Sequence, residues 1–391
     1  MKKIYSILLI VVFSNAHADY WTQKANFPGT ARPRAVGFSI GSNGYIGTGI
    51  DEFAATYNDF WEYNPFTNSW TQKADLPGVA RYGAVGFSIG TKGYIGIGAD
   101  SLVIYLKDFW EYDPITNTWT QKADFGGTER IGAVGFSNGN YGYIGTGFDG
   151  AYKNDFWEYN PTTNAWTQKS DFGGTARWSA AGFSAGSKGY IGTGYDASGA
   201  TQDFWEFDPS FNSWFQVANF VGTARCCATA FSIGTNGYVG TGDPSHDFWM
   251  YNTLSNSWIQ KANYSGAANI YAAGFSIGAK GYIGTGAVSL GNYLQDFWEY
   301  TPDSITNVQE LNQETFSVII SPNPFSDKLK ITTENSYPSE VILYDMLSKT
   351  ILQQKFKKFL SVNTEQLAKG IYLYEVRSGN SVSRKGKLVK D

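Results

Sequence analysis

The sequence predicts an all-β protein, a run of repeated four-strand units followed by a small β-sandwich. Three observations predict it. Three short strings recur with a common period of 44–49 residues. Glycine is abundant (45 residues) and charged residues make up only 16%, which disfavours helices. Aromatic residues reach 17%, enough apolar surface to exclude an extended disordered chain. The tail after Asp303 changes character: all 13 Trp and 42 of the 45 Gly precede it.

Residues 1–18, MKKIYSILLIVVFSNAHA, read as a secretory signal peptide. Lys2 and Lys3 give a positive start, Ile4 to Phe13 an apolar run, and Ala16-His17-Ala18 a small-residue cleavage site. No later stretch approaches 18 consecutive apolar residues, so no transmembrane segment is expected in the exported chain. Without its leader the chain keeps one histidine, His246, and two cysteines, Cys226 and Cys227. This excludes most nucleophile–base triads, zinc sites and disulfide frameworks, and no cofactor or metal is expected. The net charge of −4 argues against a nucleic-acid partner.

The repeat occupies 19–303. Asp-Phe-Trp begins at Asp59, Asp108, Asp155, Asp203, Asp247 and Asp296; Trp-x-Gln begins at Trp21, Trp70, Trp119, Trp166, Trp214 and Trp258. Gly-Tyr-(Ile/Val)-Gly-x-Gly begins at Gly44, Gly93, Gly142, Gly189, Gly237 and Gly281. In the second unit Arg81–Ile89, Gly93–Gly98, Phe109–Tyr112 and Thr118–Lys122 each read as a strand, with turn residues between the last two. Four strands per period fit one blade of a β-propeller, and six periods fit a six-bladed ring. Tryptophan and tyrosine fill the wedges between blades, and the glycines closing the second strand suit close backbone approach near the axis. The phase predicts closure. Trp21–Lys24 is a fourth-type strand with no first three before it, and Asp296–Tyr300 a third-type strand with no fourth after it. Joining them completes the sixth blade and covers two open edges.

These residues resemble kelch-repeat β-propellers. The resemblance rests on the Gly-x-Gly strand end, the aromatic strand with Trp110 and Tyr112, Asp113-Pro114, and Thr116-Asn117-Thr118-Trp119, repeated over roughly 20–302. It departs in having Gly-x-Gly where kelch units carry adjacent glycines. No Trp-Asp pair occurs, so WD-repeat propellers fit worse.

The connections between second and third strands, 50–58, 99–107, 148–154, 195–202, 243–246 and 287–295, hold 9, 9, 7, 8, 4 and 9 residues. Subtracting the first five from the Trp-x-Gln spacings of 49, 49, 47, 48 and 44 leaves 40 each time. All length variation thus sits in one loop class, on the face that also carries the turn into each first strand. Loops on a rigid scaffold are the usual place for recognition, and this face is expected to bind. The turns carry Arg32, Arg81, Arg130, Arg177 and Arg225, with Asn269 in the sixth unit. Two uses are open to these arginines. They can clamp a ligand carboxylate or sulfate, or pair with the Asp-Phe-Trp aspartates or with Glu62, Glu111, Glu158, Glu206 and Glu299. The two positions after the arginine differ from unit to unit: Pro33/Arg34, Tyr82/Gly83, Ile131/Gly132, Trp178/Ser179, Cys226/Cys227 and Ile270/Tyr271. An asymmetric ligand pocket would show such variation, with Tyr82, Trp178 and Tyr271 placed to stack on sugar faces or simply to pack. Cys226-Cys227 can be a strained vicinal disulfide or two reduced thiols. Asp51, Asp100, Asp149, Asp196 and Asp243 form no dense calcium loop.

From Ser304 the balance turns to 12 basic against 9 acidic residues, whereas 19–303 carries 16 against 25. A linker, 304–315, leads into seven strand-like runs between Phe316 and Val389 that read as an antiparallel sandwich. Ser321-Pro322-Asn323-Pro324-Phe325, Leu343-Tyr344-Asp345, Gly370-Ile371-Tyr372-Leu373 and the basic end Lys385-Gly386-Lys387-Leu388-Val389-Lys390 resemble the type A C-terminal sorting domain of the type IX secretion system. The resemblance covers 316–391. It implies that the secretion machinery reads this domain, with Pro322, Asn323, Pro324, Gly370, Tyr372, Lys387 and Lys390 in the sorting signal. It also implies a secreted or outer-membrane-surface protein of a Bacteroidetes-like Gram-negative bacterium.

The expected function is therefore a non-catalytic binding propeller with an extracellular glycan or protein ligand at its loop face. A propeller enzyme acting on carbohydrate and a purely structural or adhesive surface protein are the alternatives. One histidine cannot supply a copper oxidase site, and only Glu52 and Glu129 stand outside the repeat as candidate catalytic acids.

Overall fold

The structure is a computed structural model describing residues 19–242, 245–289, 291–303, 318–333, 338–345, 350–378 and 381–391. The leader 1–18 and the linker 304–315 lie outside these residues. The chain divides into two compact units, one ending at Ser304 and one beginning at Ile305. Both are built of strands alone among the described residues, and no helix there is long and apolar enough to cross a membrane.

In the first unit, antiparallel four-stranded sheets recur. The first comprises Val36–Ile40, Asn43–Gly47, Phe60–Asn64 and Ser69–Gln72 in sequential order. The same order is repeated by sheets starting at Val85, Val134, Ala181 and Thr229. Burial within a sheet follows the sequence pattern. VGFSI turns Val36, Phe38 and Ile40 inward, NGYIG is buried on both faces, and SWTQ is the exposed outer strand. The last sheet joins Ala273–Ile277, Lys280–Gly284 and Phe297–Thr301 to Tyr20–Gln23, with Trp21 opposite Tyr300.

Aromatic rings lock each sheet to the next. Phe60 meets Tyr112 at 4.9 Å and Trp119 at 5.0 Å, both from the following sheet. Phe297 meets Tyr63 at 4.8 Å and Trp70 at 5.0 Å, which links the last sheet to the first. Phe248 meets Tyr300 at 4.8 Å and Trp21 at 5.0 Å, so the N-terminal strand supplies the ring that Trp119 supplies elsewhere. Asp19 completes the substitution. Its Oδ2 accepts from Ala262 N at 2.6 Å and Tyr300 OH at 2.8 Å, whereas Asn117 Oδ1 accepts from Ala74 N and Tyr112 OH in the second sheet.

Two details differ from the sequence reading. The glycines of GYIGxG are not simply close to the axis. Gly93 makes room for a ring of the preceding sheet, since a Cβ there would lie 2.5 Å from Phe38. Gly49 at the strand end has φ +106°, following Thr48 at φ 61°. The glycines thus serve ring insertion and a left-handed turn. The second- to third-strand connections are also more regular than loops. Lys92–Ala99 and Tyr105–Asp113 continue pairing past a bulge, and Tyr195–Asp196 pairs with Gly199–Ala200. The count of residues could not show pairing beyond the glycines.

The second unit has a three-stranded sheet (Val318–Ser321, Lys328–Thr333, Phe359–Asn363). Its four-stranded sheet runs in the order Thr350–Phe356, Ser339–Tyr344, Gly370–Ser378, Ser381–Lys390. Leu329, Ile331 and Val362 from one sheet share a core with Val341, Leu343, Tyr374 and Leu388 from the other, which makes it a sandwich.

Trp21 is buried, and its indole Nε1 donates to Ala262 O at 3.0 Å. Trp21→Ala should therefore lower the unfolding free energy by about 3–5 kcal/mol in denaturant titrations, as for a buried core tryptophan.

Candidate ligand-binding site

The turn into each first strand begins with the repeated arginine. Arg81 is fully buried. Its Nε donates to Val79 O at 2.9 Å, its Nη1 to Ile97 O at 3.2 Å, and its two Nη atoms hold both oxygens of Asp108 at 2.6 Å. Arg32 holds Asp59, Arg130 Asp155, Arg177 Asp203 and Arg225 Asp247 in the same bidentate manner. Burial pushes the carboxyls of Asp108, Asp155, Asp203 and Asp247 upward, but the guanidiniums override it and hold them below the ordinary range. With every donor group engaged and the side chains at most 1% exposed, these five arginines are not ligand contacts. The structure has taken the internal use of the two that the sequence left open. A signal for it exists in the sequence. The Arg–Asp separations of 27, 27, 25, 26 and 22 exceed the intervening loop lengths by 18 in every unit. The glutamates serve elsewhere: Glu62 accepts from Tyr45 OH at 2.5 Å and faces Lys73 at 3.7 Å.

The second residue after the arginine position lines the mouth of a channel. Gly83 N donates to Arg34 O (3.0 Å), Gly132 N to Gly83 O (3.1 Å), Ser179 N to Gly132 O (2.8 Å) and Cys227 N to Ser179 O (2.9 Å). Tyr271 N donates to Cys227 O (3.0 Å), and Arg34 N to Tyr271 O (2.9 Å). All of these residues have φ between 50° and 66°, including the non-glycines Arg34, Ser179, Cys227 and Tyr271. Such a conformation costs roughly 1–2 kcal/mol per non-glycine residue, and the surrounding structure must over-determine it. Ala35, Ala84, Ala133, Ala180, Ala228 and Ala272 stand one residue further on and line a cavity of about 140 Å³ with Arg34, Ile131, Ser179, Cys227 and Tyr271. Small side chains of the first strands line a channel of about 160 Å³ beneath it.

The structure brings Tyr82, Trp178 and Tyr271 together at this mouth, around a residue that sequence reasoning passed over. The Arg34 guanidinium lies 4.1 Å from the Tyr271 ring centroid and 5.5 Å from those of Tyr82 and Trp178. The available signal was that Arg34 is the one charged residue among the twelve variable positions after the arginines. Beside it Cys226 and Cys227 are not joined in a disulfide. A hydrogen bond with Cys226 that favours the protonated form, then burial, pushes the Cys227 thiol well up, and burial raises the Tyr271 hydroxyl against the opposing pull of Arg34. Both groups stay neutral around pH 7, so Arg34 is the one charged side chain among the described residues that line the mouth. The loop aspartates are engaged in their own turns: Asp51 Oδ1 accepts from Phe53 N and Ala55 N, and Asp100 Oδ1 from Leu102 N and Ile104 N. Asp243 lies outside the described residues. Glu52 and Glu129 are exposed.

In the second unit, Asn323, Phe325 and Tyr372, from the motifs expected to carry the sorting signal, gather about the strand that ends at Lys390. Asn323 Oδ1 accepts from Val389 N at 2.8 Å, and Phe325 pairs with Lys390. Lys390 Nζ lies over the Phe325 ring at 5.7 Å and donates to Ser326 O. Tyr372 packs on Phe325 at 6.3 Å, and its hydroxyl donates to Ala368 O. Pro322 and Pro324 flank Asn323, Gly370 lies opposite Lys390, and Lys387 opposite Leu373.

Repeated four-stranded sheets about a lined channel, together with a sandwich that forms a separate unit, define a propeller-like all-β protein with a C-terminal accessory domain. Residues 320–391 match the family described as Secretion system C-terminal sorting domain. A tail of that family implies export by the type IX system, contact with its machinery, and a secreted or outer-membrane-surface location. A solved chain titled "Structure of YjhT" resembles the fold at a TM-score of 0.60 and 16% identity, over 71% of this chain and 97% of that one. Among curated proteins none matches the sequence.

The sixth unit generates a test of the Arg–Asp pairs. Asn269 replaces the arginine there, and burial without a cation raises the Asp296 carboxyl. Asp296 Oδ2 accepts from Trp298 Nε1 at 2.8 Å, while its Oδ1 is buried without a partner. A lowered carboxyl stabilises the fold above its unfolded pKa and loses that contribution as pH falls through the folded value. A raised one stabilises only at low pH and loses that contribution as pH rises. At pH 7, Asp108→Asn should cost about 3–5 kcal/mol by stranding Arg81. Asp296→Asn should leave stability equal or higher in the same denaturant titration.

Proposed function

We propose that the exported chain is a six-bladed, kelch-type propeller closed by its N-terminal strand. In this reading it acts without catalysis and binds an extracellular glycan or protein ligand at its loop face. Closure is supported by the cycle of mouth hydrogen bonds from Arg34 back to Arg34, and by Trp21 standing in for a missing fourth-strand tryptophan. Binding is supported above all by the asymmetry of the mouth. The repeated positions around it are structurally equivalent in backbone but hold unlike side chains, and three of these are aromatic. Packing alone would favour repetition, as it does at the buried arginines and at the alanines just below.

The non-catalytic part of the reading rests on the sequence: one histidine in the exported chain and acids that mostly recur with the repeat. The tail serves delivery, and the loop face serves the partner met outside.

The test is a panel of extracellular glycans and peptides against the mature chain. Trp178→Ala and Tyr82→Ala should each weaken capture roughly ten-fold, the value of one lost aromatic contact, with the thermal transition unchanged. Ligands indifferent to both substitutions would move recognition away from the mouth. A chain ending at 319 should stay in the periplasm on cell fractionation, whereas the full chain should reach the medium or outer surface.

A further inference from the structure

The charge and shape of the mouth indicate the chemical class of its occupant, an inference that rests on the loop face being a binding face. Of the six arginines between residues 19 and 303, five hold an aspartate. Arg34 is the other. Among the described residues it has no carboxylate partner and its guanidinium makes no hydrogen bond; what fixes it is rings from three different repeat units. Rings attract the flat face of a guanidinium, whereas its five N–H donors lie in the plane and point outward at the edge. The face is therefore held and the edge left to bond. Two parallel N–H bonds from that edge match a carboxylate and discriminate against neutral hydroxyls.

The surroundings support the same assignment. Among the described residues no acidic side chain lines the cavity, and none there neutralises Arg34 from within. The alanine ring keeps the floor small and apolar, which strengthens a charge-assisted bond made above it. The cavity of about 140 Å³ accepts a carboxylate and the atoms next to it, not a whole oligosaccharide. The remainder of a ligand would rest against the half-buried Tyr82 and Trp178, whose flat surfaces suit the C–H face of a pyranose. We propose that Arg34 receives the carboxylate of an acidic sugar, a uronate-type residue, with its ring laid on the aromatic wall.

A peptide carboxylate offers the same charge, so the experiment separates the two sources. Calorimetry on the mature full chain compares oligogalacturonate, the matching neutral oligogalactoside, and an acidic peptide ending in a free carboxylate. It is run on the native protein, Arg34→Gln, Arg34→Lys and Trp178→Ala, with thermal unfolding as the folding control. The expected result is uronate binding at least ten-fold tighter than the neutral sugar. Arg34→Gln should weaken it roughly ten- to a hundred-fold, as expected for a lost charged hydrogen-bond pair. Arg34→Lys, which keeps charge but not the planar fork, should fall between. Equal binding of uronate and neutral sugar, insensitive to Arg34→Gln but sensitive to Trp178→Ala, overturns the carboxylate assignment and leaves the binding face standing. Peptide preferred over uronate through Arg34 overturns the sugar. Uronate bound with full affinity by both Arg34→Gln and Trp178→Ala overturns the mouth as the site, and with it the reading on which this inference rests.

Discussion

A sheet of this repeat cannot bury its own third-strand phenylalanine. Phe60 is covered by Tyr112 and Trp119 of the following sheet, and each later phenylalanine depends on its successor in turn. A linear stack would leave one phenylalanine bare at one end and one tyrosine–tryptophan pair bare at the other. The chain avoids both. Phe297 is covered by Tyr63 and Trp70 of the first sheet, and Trp21 reaches across to Phe248. Aromatic pairs contribute about 0.5–1.5 kcal/mol each beyond their buried area, so an unmatched end would be costly several times over. The N-terminal strand is thus set by a packing demand of the whole repeat, and Asp19 adopts the hydrogen bonds of an asparagine for the same reason.

With the wedges filled by apolar rings, the buried polar groups must be settled inside each unit. The arginine–aspartate pair does this. It fastens the turn before the first strand to the start of the third, and the same guanidinium caps the carbonyl at the glycine-rich strand end. A buried pair of this kind is often no better than a hydrophobic substitute in net energy. Its planar fork nevertheless fixes the turn in one geometry, and the mouth residues follow two positions later. The strained φ values at the mouth fall between these anchored arginines and the alanines that immediately precede each first strand.

Much of this was legible in the chain itself. The period, the four strands per unit and the N-terminal strand could be read because Trp, Gly and Asp-Phe-Trp mark local positions whose environment repeats. The pairing of Arg81 with Asp108 was one of two open uses, because residue type alone does not distinguish an internal carboxylate from a ligand's. Arg34 was less visible still. Tyr82, Trp178 and Tyr271 come from different units, and no local pattern places them around one guanidinium. The turning of Gly49 and Gly93 to separate tasks was hidden for a similar reason: one depends on φ, the other on a ring from another sheet.

The sixth unit shows where repetition yields. Asn269 reaches only Thr285 O, at 3.4 Å, and leaves Asp296 without a cation, while Tyr264 stands where other units carry Phe or Leu. Its hydroxyl, the Asn269 Oδ1 and the Asp296 Oδ1 are all buried without partners. A stable protein tolerates few such groups, each costing about 1–3 kcal/mol. That they gather in the unit whose outer strand is Tyr20–Gln23 has a physical reading. This unit is held by a strand added from the far end of the sequence and by Asp19, so its own turn is freer to drift from the consensus. The same relaxation operates at the mouth, where the backbone is held by hydrogen bonds that no side chain supplies. There the six positions hold unlike side chains on one backbone geometry, at the cost of the left-handed φ that each non-glycine adopts, and this is what sets a single charge among aromatic walls on one face.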